Sequence, residues 1–269
     1  MRRFLIVIAV FMTGSLAALA QTDSERYEQR YELLVSKMGA AGIGVETVLD
    51  NWEKVDSLNP RMLLGRFSYY YTKAQSTQVV VKDNRKYLGM EPILTLKDSL
   101  GKDVFYFQEV VFDDELYGQA VRAAEKAASA WPDRLDFRLM KANAYIAYEK
   151  ESPDMALAYL QDLVRENAAR KSPWDYNGVE TDDDFFEEVM QEYCFSFYTI
   201  GSPVSQEAFH TLSKQLCDLY PDNMVFLNNI GSYHLLKGDY KTALKYYDKV
   251  LKKHPDDYTA MQNGLLASR

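Results

Sequence analysis

The chain has 269 residues, with 39 acidic against 31 basic side chains and a net charge of −8. So acidic a surface repels polyphosphate, which sets nucleic acid aside as an expected partner. Apolar residues are spread evenly and no Gly/Ser-rich or low-complexity stretch divides the chain, so one elongated domain is expected.

Met1-Arg2-Arg3, the apolar run from Phe4 to Met12 and the small-residue tail Ala18-Leu19-Ala20 form the three parts of a secretory signal peptide, with cleavage expected before Gln21. The alternative is a retained membrane anchor. Thr13, Gly14 and Ser15 interrupt the run, however, and a spanning helix needs about 20 continuous apolar residues. No cysteine lies near the cut to accept a lipid. Losing residues 1–20 removes two arginines and no acid, which takes the charge from −8 to −10. The mature chain, residues 21–269, is therefore expected in the periplasm or the medium, with no membrane span. Thiols can oxidise there, so Cys194 and Cys217 either pair or serve as small core residues.

Gly39, Gly42 and Gly44 read as a turn before a helix over 46–57, whose Val48, Trp52 and Val55 share one face and which Pro60 ends. A helix over 61–75 follows, with Leu64, Phe67 and Tyr71 at helical spacing. The pattern then becomes β-like: Val79-Val80-Val81, Ile93 to Leu96, a turn with Asp98 and Gly101, and Val104 to Phe107. The next helix, over 114–131, carries Ala120, Ala124 and Ala127 on one face and stops at Pro132. Residues 76–113 thus read as a β-rich insertion, with a hairpin, inside one helix pair. It is either a lip on a binding groove that exposes Tyr106 or Phe107, or a cover over the helices that hides them.

From Leu135 the run Lys141 to Tyr145 and then Ala156, Leu160 and Leu163 suit another pair, whose turn near 149–154 holds extra residues. A shorter insertion over 165–183 contains Pro173-Trp174-Asp175-Tyr176-Asn177-Gly178. It runs into Thr181-Asp182-Asp183-Asp184, which suits a helix N-terminus. A calcium loop is the sharper reading, but the oxygen-ligand alternation, the glycine and the distal glutamate of an EF-hand are missing. Helices over 184–200 and 205–220 make the next pair, the second with Ala208, Leu212 and Leu216 inward and Pro221 behind it.

The clearest unit spans 224–255. Leu227, Ile230 and Gly231 fall on the first helix, Gly238 in the turn, and Ala243, Tyr247 and Val250 on the second, with Pro255 closing it. This order of large, large, small, turn glycine, small, aromatic, aliphatic and proline resembles a tetratricopeptide repeat (TPR), the clearest copy spanning 224–257. Pro60, Pro132 and Pro221 invite the same register upstream, and residues 258–269 look like a capping helix. The resemblance implies an all-α solenoid of antiparallel helix pairs across residues 21–269, with a small β-hairpin insertion. It also implies a concave face that receives an extended peptide or a partner helix.

Carried over position by position, the groove residues are Val225, Asn228, Ser232, Leu235 and Leu236 in the last unit, and Met62, Tyr69, Thr72 and Lys73 in the helix beginning at Arg61. Asn228 could hydrogen-bond a peptide backbone and Tyr69 could offer a flat apolar contact. His210, His234 and His254 form no metal-ligand spacing, and no nucleophile elbow, phosphate loop or Cys-x-x-Cys is present. No cofactor, metal or enzymatic activity is expected. The reading is an exported scaffold for a protein or peptide partner. Its rivals are a structural component that self-associates through the ends of the repeat array, and a hydrolase.

Overall fold

The computed structural model describes residues 21–182 and 184–268, so the expected leader lies outside it. Most described residues are helical: α1 (Asp23–Met38), α2 (Val45–Val55), α3 (Pro60–Ala74), α4 (Asp114–Ala130), α5 (Leu135–Glu149), α6 (Asp154–Ala169), α7 (Phe185–Ile200), α8 (Pro203–Leu219), α9 (Met224–Leu236), α10 (Tyr240–Lys253) and α11 (Tyr258–Ala267). None of them is long and apolar enough to cross a membrane. Each start has a local cause. Thr22 and Glu25 close a capping box on α1, Asn59 and Asp113 cap α3 and α4, and Ser202 caps α8 with Pro203 in its first turn.

Consecutive helices pack on one another along the chain, except that α6 rests chiefly on α8 rather than α7. The interior divides into three apolar clusters. One, around Trp52, Leu63 and the alanine face of α4, joins α2 through α5. The second, around Leu160, Met190, Phe197 and Leu212, joins α5 through α9. The third is small and built on Ala243, Tyr247 and Val250, with Ala260 and Ala267 of α11. Within it a Cβ on Gly231 would stand 2.6 Å from the Tyr247 ring, so a glycine is what lets α9 and α10 close. Fully burying an aromatic such as Tyr247 stabilises the fold by about 2–3 kcal/mol.

The insertion is a three-stranded antiparallel sheet of order β1-β3-β2, comprising β1 (Gln75–Lys82), β2 (Leu94–Lys97) and β3 (Asp103–Phe112). Strand β1 leaves α3 without a turn and β3 returns to α4, the Asp113 N–H donating to the Ala74 carbonyl at 2.8 Å to close the base. The expected hairpin is the β2–β3 pair, with Leu94 opposite Tyr106 and Leu96 opposite Val104.

The two aromatics divide between the faces of the sheet. Phe107 is buried against Tyr87, while Tyr106, on the other face, is half-buried. The Phe107 face lies over the ends of α5 and α7. A Cβ on Gly89 would stand 2.7 Å from the Thr199 carbonyl oxygen, and the buried Glu109 carboxylate accepts from Tyr87 (2.6 Å) and Gln78 (3.0 Å) and pairs with Lys150 (3.0 Å). Burial pushes the Glu109 acid up, but these three donors outweigh it and hold it down at about 2.

The second insertion forms a short hairpin, β4 (Asp175–Tyr176) and β5 (Val179–Glu180), turning through Asn177 and Gly178, both at positive φ. Cys194 and Cys217 are free thiols in this structure. Cys194 is buried, facing Ser213 one turn before Cys217, and burial pushes its thiol up to about 12.

Candidate functional site

Helix α3 presents two opposed faces. At about 100° per residue, Met62, Gly65 and Tyr69 share one side and Leu64, Phe67 and Tyr71 the other. The first side turns inward, where a Cβ on Gly65 would stand 2.8 Å from the Tyr31 ring of α1. The second opens onto a cleft of about 300 Å³, whose far wall is Asp136, Leu139, Met140, Asn143 and Ala144 of α5. Tyr176 and Asn177 of the β4–β5 turn form one rim. Three larger hollows, beside Asp184, Glu187 and Asp222, beside Arg165, His210 and Lys214, and beside Glu53, Arg66 and Lys126, are lined mainly by polar and charged residues, whose carbon stems still supply much of the surface. The α3–α5 cleft is apolar and aromatic with a few placed polar groups, the composition of a binding site.

Its polar groups are held in place. The Tyr193 hydroxyl of α7 shares its proton between Asn143 Oδ1 (2.9 Å) and the Leu139 carbonyl (3.2 Å). Burial raises the Tyr193 phenol, so it stays a neutral donor. With Oδ1 so engaged, the Asn143 Nδ2 hydrogens have no protein partner among the described residues and face solvent. Arg134 Nε and Nη2 each meet the Asp136 carboxylate at 2.7 Å, and Asp175 of the hairpin stands 3.3 Å from the same guanidinium. That pairing neutralises the cleft's one acid and ties the hairpin to the start of α5. Tyr176 leans on Phe185 of α7, with ring centres 5.1 Å apart.

At the other end the wall runs on as aromatics. Phe67 stacks on Tyr71 (5.1 Å), Tyr71 touches Phe112 at the root of β3 (5.5 Å), and Phe112 touches Tyr148 (5.9 Å). The cleft is thus bounded by the root of the large sheet at one end and the small hairpin at the other.

The residues carried over from the repeat signature do not form this surface. Met62 is fully buried and Tyr69 nearly so, its hydroxyl donating to Glu46 (2.7 Å) and accepting from Lys73 (2.8 Å). Thr72 and Lys73 are exposed on the side away from the cleft lining. Asn228 is buried and its Nδ2 donates to Asp257 Oδ1 (3.1 Å), the group that also caps α11. Ser232 lies 3.2 Å from the Tyr247 hydroxyl and accepts from Asn263 of α11 (3.4 Å). Helix α11 therefore occupies the face of α9 that was expected to be open. Leu235 packs on the small third core, Leu236 is exposed, and Val225 is exposed beside the acidic hollow at Glu187.

His210 of α8 and His234 of α9 meet edge to face with ring centres 5.8 Å apart, His210 stacking on Tyr233 and His234 on Tyr246. Among the described residues no three His, Cys, Asp or Glu side chains converge to hold a metal ion. No protein-family model, no curated protein and no solved structure matches the chain.

Proposed function

We infer that the protein is an exported, non-enzymatic scaffold of TPR type that holds an extended segment of a protein or peptide partner in the α3–α5 cleft. The repeat signature over 224–255 and the packing of consecutive helices on one another, α6 and α7 excepted, support the TPR reading. One observation carries the functional reading: the aromatic wall of Phe67 and Tyr71 faces an Asn143 amide whose donor hydrogens are left open by the Tyr193 bond.

An extended backbone offers a carbonyl about every 3.3 Å, and one amide donor fixes its register while alternate side chains reach the apolar wall. Because Arg134 neutralises Asp136, the cleft suits apolar or aromatic side chains better than charged ones. Peptides selected by display on the wild-type chain and titrated by fluorescence anisotropy test this. Tyr71→Ala and Tyr176→Ala are each expected to weaken binding by roughly tenfold, the loss of one good apolar contact. Selection of highly charged peptides indifferent to both changes would sink the reading.

A further inference from the structure

One buried polar group beside the cleft lacks a partner. Tyr117 of α4 is 6% exposed, and its hydroxyl meets no hydrogen-bonding group among the described residues. A hydroxyl buried in this way costs stability, so phenylalanine would serve the core better unless the oxygen meets something the free chain does not hold. Burial, and after it the neighbouring Tyr145 and Tyr71 and the Glu149 carboxylate, push the Tyr117 phenol up, so it stays a neutral donor.

Its neighbours are the aromatic wall of the cleft. Tyr71 lines the cleft and touches Phe112, Phe112 meets the Tyr117 ring edge-on at 5.3 Å, and Tyr148 of α5 lies flat on that ring at 4.2 Å. Tyr148 is only half-buried, and its hydroxyl is held by one solvent-exposed bond to Asp114 (2.9 Å). The ring that covers Tyr117 is therefore the one best able to turn outward, and what takes its place must be flat and apolar with a polar edge.

The chemistry of the spot narrows the occupant. A carboxylate would be buried unpaired near Glu149, and an aliphatic chain or a phenylalanine ring leaves the Tyr117 hydroxyl as it is. A primary amide accepts the proton but brings no ring to replace the one displaced, and an indole is a donor only. A phenol does both. We propose that the cleft ends in a subsite for a tyrosine side chain of the bound segment, whose ring replaces that of Tyr148 against Phe112 and Tyr117 and whose hydroxyl accepts the Tyr117 proton. The subsite presupposes that the cleft holds an extended segment, and it adds the side chain by which that segment is chosen. A site built to bond a hydroxyl discriminates against the analogue that lacks it.

The test sets N-acetyltyrosinamide against N-acetylphenylalaninamide as competitors of a fluorescein-labelled peptide selected by display on the wild-type chain, read by anisotropy. On the wild type the tyrosine compound is expected to displace the peptide at roughly one-tenth the concentration of the other, the effect of one hydrogen bond. In Tyr117→Phe the two should compete alike, which assigns the preference to that pair of hydroxyls. The same variant should melt no lower than the wild type, because no bond within the chain is lost. Equal competition on the wild type, or a preference that persists in Tyr117→Phe, overturns the proposal. So does a lower melting midpoint in that variant, which would show a buried water already satisfying the hydroxyl. Tyr71→Ala separates this outcome from failure of the cleft itself. Peptide affinity unchanged in Tyr71→Ala sinks the cleft and the subsite together, whereas weakened affinity beside equal competition keeps the cleft and removes the subsite alone.

Discussion

Two helix pairs of this molecule share a plan and differ in what joins them. Helices α9 and α10 are linked by residues 237–239, with Gly238 at positive φ, while α3 and α4 are separated by the whole three-stranded sheet. In the first pair the small and aromatic residues pack closely: Gly231 admits the Tyr247 ring, and Ala243, Tyr247 and Val250 are completely buried. In the second pair the helices still pack closely, but the sheet between them carries the free surface and its root adjoins the cleft. The tight connection leaves the α9–α10 pair little besides its own packing. The long one gives the α3–α4 pair a surface to use.

Substitutions that break the two regions should separate them by magnitude. Tyr247→Ala removes a fully buried ring and is expected to destabilise the chain by about 3–5 kcal/mol in urea denaturation. Glu109→Ala cuts the tie between the sheet and the ends of α5 and α7. It should cost about 2 kcal/mol, with faster amide exchange concentrated in β1 and β3 rather than in the helices.

The same carboxylate gives the sheet an acid limit. Its folded acid constant of about 2 is below the ordinary 4.5, so its contribution is complete above pH 4.5 and is lost as pH falls from there toward 2. Glu109→Gln should flatten that part of the stability profile.

A smaller effect belongs to the C-terminal region. Burial and then the neighbouring His234 lower the His210 acid constant, while Glu207 works against them and Lys214 with them; Tyr233 and Lys237 both engage that Glu207. A histidine lowered in this way stabilises the neutral folded form. Stability should therefore decline slightly as pH falls below 6.5, and a His210→Asn variant should lack that decline. Smallest of all is the thiol pattern. The half-buried Cys217 should react slowly with a disulfide reagent, and the buried Cys194 only after unfolding.

Helix pairing was legible wherever a connection was short and a proline or glycine marked its end, as at Gly238 and Pro255. Helix α1 was not read, because none of its residues is fully buried and its apolar spacing is weak, although Thr22 and Glu25 announced its start. The β4–β5 hairpin had a signal in Asn177-Gly178 that the surrounding Pro173 and Trp174 masked as irregular loop.

The cleft was missed by half a helical turn. Transferring the register of α9 to α3 placed Met62 and Tyr69 outward, but Gly65 draws that side against Tyr31 and Leu49, which leaves Leu64, Phe67 and Tyr71 to face α5. A pattern of small residues says where two helices touch. It does not say which neighbour fills the contact, and that choice decides which face stays open.

The most direct test of the cleft sets the residue the structure selects against the one the repeat signature selects, by titrating a display-selected peptide into Asn143→Ala and Asn228→Ala chains. Asn143→Ala is expected to weaken binding by roughly tenfold, the loss of one hydrogen bond, with only a small drop in the thermal midpoint because the Tyr193 hydroxyl keeps the Leu139 carbonyl as acceptor. Asn228→Ala, which loses its bond to Asp257, should lower the thermal midpoint and leave the affinity as it was. Affinity lost in Asn228→Ala and kept in Asn143→Ala would contradict the account and move the binding surface to α9.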